Sequence, residues 1–415
     1  MHILFMTDNF PPEGNAIASR VYERACYWVK WGHQVTVVTS VPNFPEGKVY
    51  PGYQNKFYQV EIMNGIRVVR IKTFITKNKG FYLRILDFLS YIFPAFLAGL
   101  FVKKPDVIVA TTPQFFVGIT AWLLSLCRRL PFVLEVADIW PASIVGVGAM
   151  QKSLLIRMLE KLELFLYRQA SSIVVLTDAF KKNLTKRHIN PAKISVVING
   201  VELSQYQPQS FSGEIAKKYN IDESKFIIGY IGTHGMAHAL MNVLHTAQLL
   251  QDPNILILFV GAGAERDTLM QYAKTQQINN VKFIEAQPKK IITQFWSLCQ
   301  VALVHLKNDP VFAEVIPSKI FEAMAMGLPI LLAAPKGEAS QIIENTRAGL
   351  WVDAENSKEL AHAINTLHDD MHLRLELANN SLNSAIHFSR EEQAKKMLLV
   401  LEQEYHKFEN SQEVT

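Results

Sequence analysis

Short apolar runs alternate with amphipathic helical patterns over almost all of the 415 residues. A parallel strand reaches its neighbour only through a crossover, usually a helix, so such alternation reads as successive βα units and an α/β fold. The first series predicts strands at His2–Met6, Gln34–Thr39, Asp106–Ala110, Pro131–Val136, Ser172–Leu176 and Ile194–Ile198, with a helix over Ile17–Trp31. Tyr58–Met63 and Ile66–Ile71 flank Asn64-Gly65 and predict a hairpin with a two-residue turn. A second series follows at Phe226–Ile231, Ile255–Val260, Val281–Ile284, Val301–His305 and Pro329–Ala333.

The two series predict two Rossmann-like domains facing each other across a cleft, over residues 1–202 and 214–389. The polar stretch 203–213 reads as their linker. Residues 390–415 form a C-terminal helix and tail, with the helix from Arg390 to about Phe408 free to cross back onto the first domain.

Hydrophobic residues make up 49% and charged residues 19%, which fits ordered domains with full cores and excludes a largely disordered chain. The net charge of +5 is too small to mark a nucleic-acid binder. It hides an asymmetry: residues 1–200 hold 24 Lys+Arg against 12 Asp+Glu, and residues 201–415 hold 18 against 25. Cys26, Cys127 and Cys299 lack any CxxC or nearby His spacing, so neither a disulfide framework nor a zinc site is expected and a reducing cytosol fits. No export leader is read before Asp8.

Phe88–Val102 is uncharged and apolar but shorter than the ~20 residues a spanning helix needs. The wider segment Phe81–Val102 carries Phe81, Tyr82, Tyr91, Phe93, Phe96 and Phe101, is broken by Pro94, and is flanked by Arg84 and Lys103-Lys104. It reads equally as an interfacial segment on an anionic membrane and as a core helix.

In doubly wound sheets, ligands bind beyond the carboxyl ends of the strands, and four loops there are unusual. In Thr7–Ala16, Gly14 and Asn15 let backbone amides approach an anion, or form an ordinary turn with Asn15 as helix cap. In the second, Gly232, Thr233, His234, Gly235 and His238 suit a pyrophosphate, although either imidazole reads equally as a packed loop histidine. Gly261 and Gly263 allow a base or ribose to come close, or merely make a tight turn.

The fourth loop runs from Glu314 to Pro329. Pro317-Ser318 starts and Gly327 with Pro329 ends a short helix, Ser318–Met326, which puts Glu322 one turn from Ser318 and leaves Glu314 in the preceding loop. Two carboxylates so spaced can grip sugar hydroxyls at two points of one ligand, with a phosphate beside Lys319; two unrelated surface glutamates are the plainer alternative.

Glu314, seven residues, then Glu322-Ala323-Met324-Ala325-x-Gly327-x-Pro329 resembles the paired-glutamate signature of family 4 glycosyltransferases of the GT-B fold. Phe10-Pro11-Pro12-Glu13, Gly32-His33-x-Val35-Thr36-Val37, Asn199-Gly200-Val201-Glu202 and Val260-Gly261-x-Gly263 match in family order. The resemblance implies a nucleotide diphosphate sugar, UDP-linked, on the second domain and an acceptor on the first. Glu322 would hold the ribose hydroxyls and Glu314 the donor sugar, with retention of configuration, no metal and no other cofactor. Relatives commonly carry Arg and Lys where this chain has Thr233 and His238. Backbone amides at 233–235, Lys319 and His238 are then expected to share the diphosphate.

Glu135-Val136-Ala137-Asp138-Ile139-Trp140-Pro141 stands where many relatives place a histidine near the reacting carbon, making Asp138 the acceptor-side candidate, or else a buried cap. Asp138-x-Trp140-Pro141 together with Pro317-Ser318-Lys319 is similar to bacterial O-antigen and capsule enzymes, including fucosamine-transferase-like members. That implies transfer of an N-acetylfucosamine-like sugar to a polyprenyl-diphosphate-linked acceptor at the inner membrane face, by a peripheral cytoplasmic protein. The rival expectations are a GT-B nucleotide-sugar epimerase or hydrolase, and a non-catalytic nucleotide-sugar-binding partner in a membrane assembly.

Overall fold

The computed structural model describes residues 1–44, 46–76, 81–112, 114–142 and 153–413, and the side chains of Phe81, Tyr82, Arg84 and Glu413 lie outside that description. The chain divides into two compact units: Met1–Asn199 with Arg390–Thr415, and Gly200–Ser389. Residues 203–213, read from sequence as the linker, belong to the second unit. The C-terminal helix belongs to the first.

In the first unit the strands are β1 (His2–Met6), β2 (Gln34–Ser40), β3 (Tyr58–Met63), β4 (Ile66–Ile71), β5 (Val107–Thr111), β6 (Phe132–Val136), β7 (Ser172–Val175) and β8 (Ile194–Val196). They form one sheet in the order β3-β4-β2-β1-β5-β6-β7-β8. Every pairing is parallel except the β3–β4 hairpin, where Met63 pairs with Ile66 across the Asn64-Gly65 turn. Strands such as Val107–Thr111 and Phe132–Val136 are buried at every position, as expected of a sheet covered on both faces.

One face packs Ile3, Phe5, Val35, Val37, Ile66 and Val68 against Val21, Ala25 and Trp28 of the helix Ala16–Lys30. Ala394, Met397, Leu398 and Leu401 of the C-terminal helix Arg390–Glu413 complete that core. Trp28 Nε1 donates to Ala394 O at 2.9 Å, and Arg390 pairs with Glu23 at 2.8 Å.

The second unit holds β9 (Phe226–Ile231), β10 (Ile255–Val260), β11 (Val281–Ile284), β12 (Val301–His305), β13 (Ile330–Ala333) and β14 (Gly349–Val352), all parallel, in the order β11-β10-β9-β12-β13-β14. This is a doubly wound sheet whose strand order reverses between β9 and β12, and such reversals open a crevice at the carboxyl ends. In the first unit the corresponding reversal lies between β1 and β5.

The aromatic segment forms the helix Phe81–Leu100, which buries one face and exposes another. Tyr91, Ala95 and Ala98 are buried, with Tyr91 Oη donating to Val38 O at 3.0 Å. Leu83, Leu86, Leu89, Phe93 and Leu100 are exposed, followed by Phe101. Arg128 closes the helix end by donating to the carbonyls of Gly99, Leu100 and Val102. No helix of the described residues is long and apolar enough to cross a membrane.

Candidate functional site

The loop leaving β9 is locked to the loop leaving β10. Gly232 N donates to Val260 O and His234 N to Ala262 O, both at 2.9 Å, and Glu265 N returns a bond to His234 O at 3.0 Å. The approach requires glycine. A Cβ on Gly261 would lie 1.9 Å from Gly232 O, and one on Gly263 would lie 2.2 Å from His234 O.

A third segment enters beneath this pair. The paired-glutamate helix is Lys319–Ala325, seven residues with Ser318 as an N-cap that makes no side-chain cap bond, and so is shorter than the expected Ser318–Met326. Lys319 points from it to the β9 loop: Nζ stands 3.8 Å from the centre of the Tyr230 ring, and a Cβ on Gly232 would fall 2.9 Å from Nζ. Lys319 is 8% exposed, and its Nζ has no hydrogen-bond partner among the described residues. Burial pulls its pKa down to about 7, against the pull of Glu322 in the other direction.

Glu322 lies one turn along the same helix and is partly exposed, as is Glu314 at the end of the short turn Pro310–Glu314. Asp309 caps that turn by accepting from Val311 N at 3.0 Å. Its other wall is Gly337, where a Cβ would lie 2.0 Å from Ala313 O. Gly337 therefore fixes the backbone that carries Glu314, a role that sequence reasoning missed; the only signal was a glycine ahead of the helix Glu338–Thr346.

The histidines bring no charge to this site. Burial, with Arg266 and Lys319 nearby, lowers the pKa of His234 to about 4, and its ring packs among Tyr230, Phe259 and Phe283. Burial and then Lys319 lower His238 to about 3. His305 Nδ1 donates to His238 O at 2.7 Å, and Asn242 Nδ2 donates to His305 Nε2 at 2.9 Å, an arrangement that assigns the neutral tautomer of His305. His238, expected to share the diphosphate, is therefore uncharged, with its Nδ1 3.3 Å from His305 O. Thr233 is exposed and Gly235 caps the short turn Met236–His238.

In the first unit, Asn15 takes the plainer of its two readings and caps the helix Ala16–Lys30, accepting from Ala18 N at 2.9 Å; Gly14 is exposed beside it. Asp138 is partly exposed and lines a small cavity with Thr112, Phe115, Trp140, Glu163 and Tyr167. Thr112 Oγ1 accepts from Ala137 N at 2.9 Å and donates to Asp138 O at 3.4 Å, fixing the turn that presents the carboxylate.

Glu135, three residues earlier, is fully buried and paired with Arg20 and Arg24. Burial pushes its pKa up, but the two guanidinium groups outweigh this and hold it at about 2. Arg20 also donates to Thr111 Oγ1 at 3.3 Å, tying the first helix to the carboxyl ends of β5 and β6. Sequence reasoning passed over this cluster. The available signal was a glutamate inside an apolar strand and two arginines four residues apart on an otherwise core-facing helix.

Residues 15–200 match the family described as glycosyl transferase 4-like domain, and residues 211–384 match the glycosyl transferases group 1. The chain is 27% identical over 287 residues to the probable glycosyltransferase WbjE of Pseudomonas aeruginosa, covering 67% of this chain and 71% of that protein. It is 23% identical over 363 residues to the putative colanic acid biosynthesis glycosyl transferase WcaI of Escherichia coli, covering 86% and 88%. The fold is that of the GT-B glycosyltransferases: the crystal structure of Anabaena HepE in complex with UDP-glucose superimposes with a TM-score of 0.71 at 17% identity, over 97% of this chain and 100% of that one. The strand order, the glycine loops locked together at the reversal of the second sheet, the paired glutamates and these matches together make the chain a glycosyltransferase, its first unit matching the glycosyl transferase 4-like domain and its second the glycosyl transferases group 1.

Proposed function

We propose that the chain is a retaining glycosyltransferase that takes a sugar from a nucleotide diphosphate sugar bound to the second unit and passes it to a lipid-diphosphate-linked acceptor held by the first. The observation that carries this reading is the meeting of the paired-glutamate segment with the β9 loop, through Lys319 and Gly232, at the point where the second sheet reverses. Glu322 is assigned to the ribose hydroxyls, Glu314 to the donor sugar and the amides of Thr233–Gly235 to the diphosphate. Asp138 is assigned to the acceptor side. A loose transition state, in which the sugar parts from its diphosphate before the new bond is made, gains most from fixed dipoles and charges around the leaving group. UDP is the favoured nucleotide, in keeping with the UDP-glucose held by HepE, and an N-acetylfucosamine-like sugar is favoured by resemblance.

The acceptor reading is supported by one face of the first unit. In the hairpin register, Tyr58, Val60 and Ile62 pair with Ile71, Val69 and Arg67, opposite to the face on which Ile66 and Val68 join the core with the first helix. Right-handed crossovers place the helix Phe81–Leu100 on that same opposite face, against β2 and β4. Its exposed leucines and Phe93 thus share one side of the sheet with exposed Tyr58, Val60 and Ile62, bordered by Lys72, Lys103 and Lys104. An apolar face edged with lysines suits an anionic membrane surface, with the protein peripheral on its cytoplasmic side.

The test is incubation with membrane extract and radiolabelled UDP-, GDP- and dTDP-sugars. The expected outcome is label in the lipid phase with one of these donors; donor binding without any lipid product would rule out the transferase reading in favour of a binding partner.

A further inference from the structure

Lys319 is an ammonium group kept where an ammonium group is expensive to keep. It is buried, lacks a hydrogen-bond acceptor among the described residues, and rests on the face of Tyr230. The ring attracts a cation, and Glu322 one turn along adds to that attraction, but neither replaces the water that the ammonium has lost. A Cβ at position 232 would lie 2.9 Å from Nζ and 3.3 Å from Cε, so it is the missing side chain of Gly232 that lets the ammonium come up against the β9 loop, and Gly232 itself is partly exposed. A buried, unpaired cation beneath a glycine at a strand-end crevice is arranged to meet an anion that arrives from outside.

The neighbouring phenol and imidazoles do not compete for that role. Tyr230 on β9, His234 and His238 on the loop after it, and His305 on β12 are uncharged near neutral pH, because burial raises the phenol well above its usual range and lowers the imidazoles. Glu322 is the nearby carboxylate, and Arg266 is a second cation close enough to act on His234. Positions 233 and 238 hold an exposed threonine and a neutral histidine.

We propose that Lys319 is the counter-cation of the donor's diphosphate, replacing a basic side chain at 233 or 238, and that diphosphate binding completes its charge by taking up a proton from solvent. The proposal rests on the reading of this crevice as a nucleotide-sugar site. The free lysine titrates at about 7, and an adjacent diphosphate raises that value. Binding therefore takes up close to one proton at pH 8, where the free lysine is mostly neutral, and about a tenth of one at pH 6, where it is already charged. Affinity weakens as pH rises above 7, by at most about tenfold per pH unit.

The experiment is calorimetric titration at pH 6 and pH 8, in buffers of different ionisation enthalpy. The ligand is whichever of UDP-glucose, GDP-mannose and dTDP-glucose the wild type binds most tightly, since none of their diphosphate esters titrates in this range. Near-stoichiometric uptake at pH 8 is expected, and it is read on the wild type, so no variant needs to fold. Lys319→Gln should weaken binding about 10- to 100-fold and abolish the uptake. Adding Thr233→Arg to Lys319→Gln should recover affinity without restoring the uptake, because a guanidinium stays protonated.

Binding without proton uptake at pH 8, or wild-type affinity in Lys319→Gln, overturns the role of Lys319 and leaves the donor site standing, provided that Glu322→Ala loses binding. If the wild type takes none of the three nucleotide sugars, or Glu322→Ala binds as the wild type does, the donor-site reading falls and the proposal falls with it.

Discussion

Glu135 shows how little a single residue's identity reveals about its work. In the sequence it is one polar position in Phe132–Val136; in the fold it is a fully buried carboxylate between Arg20 and Arg24. Replacing it with glutamine keeps the shape and strands two buried guanidinium groups, so Glu135→Gln should cost about 3–5 kcal/mol, measured by denaturant unfolding. Wild-type stability in that variant would show that the arginines find other partners. Lys319 differs in kind. Its place beside Ser318 and ahead of Glu322 made it a ligand candidate from sequence, but its burial and its seat on Tyr230 depend on a strand almost ninety residues away. His234 and His238 were legible only as imidazoles near a glycine loop, because their charge is set by desolvation, which a sequence does not display.

At the level of elements, the hairpin was the most legible feature: its strands fall at Tyr58–Met63 and Ile66–Ile71, as the Asn64-Gly65 turn predicts. The strand Gly349–Val352 was missed. It is four partly buried residues at a sheet edge, and its only pairing is with β13, so what defines it lies in its neighbour. The helix Phe81–Leu100 is a case where apolar residues are too many for one buried stripe, and the surplus faces outward. A double change, Phe93→Asp with Ile62→Asp, alters two exposed side chains and should leave folding within about 0.5 kcal/mol of wild type. It should reduce co-flotation with liposomes containing anionic lipid severalfold. Equal recovery of wild type and variant, or of wild type with neutral and anionic liposomes, would remove the face or its lysines from membrane binding.

At the level of the whole molecule, the charge asymmetry survives in altered form. Because the C-terminal helix joins the first unit, that unit carries 28 Lys+Arg against 18 Asp+Glu, and the second carries 14 against 19, so the contrast is +10 against −5. The units should also differ in acid. His234, His238 and His305 have folded pKa values of about 3–4, below the 6.5 of the unfolded chain, so the unfolded second unit binds more protons as pH falls from 6.5 to 4 and the folded state loses stability there. In the first unit burial also lowers His2 and His33, but both are partly exposed, and Glu135, depressed from 4.5 to about 2, loses its contribution only below pH 4.5. Hydrogen exchange at pH 5 should therefore show Gly200–Ser389 opening before Met1–Asn199; simultaneous opening would refute this.

The sequence by itself determined the two α/β sheets, every strand but Gly349–Val352 to within a residue or two, and the glycine and glutamate signatures of the family, because periodicity, turn chemistry and motif spacing are local. Only the tertiary structure decided which unit owns the last helix, which histidines are neutral, and that a buried lysine lies under Gly232. Those outcomes depend on burial and on contacts between distant segments, and desolvation is a property of the assembled molecule.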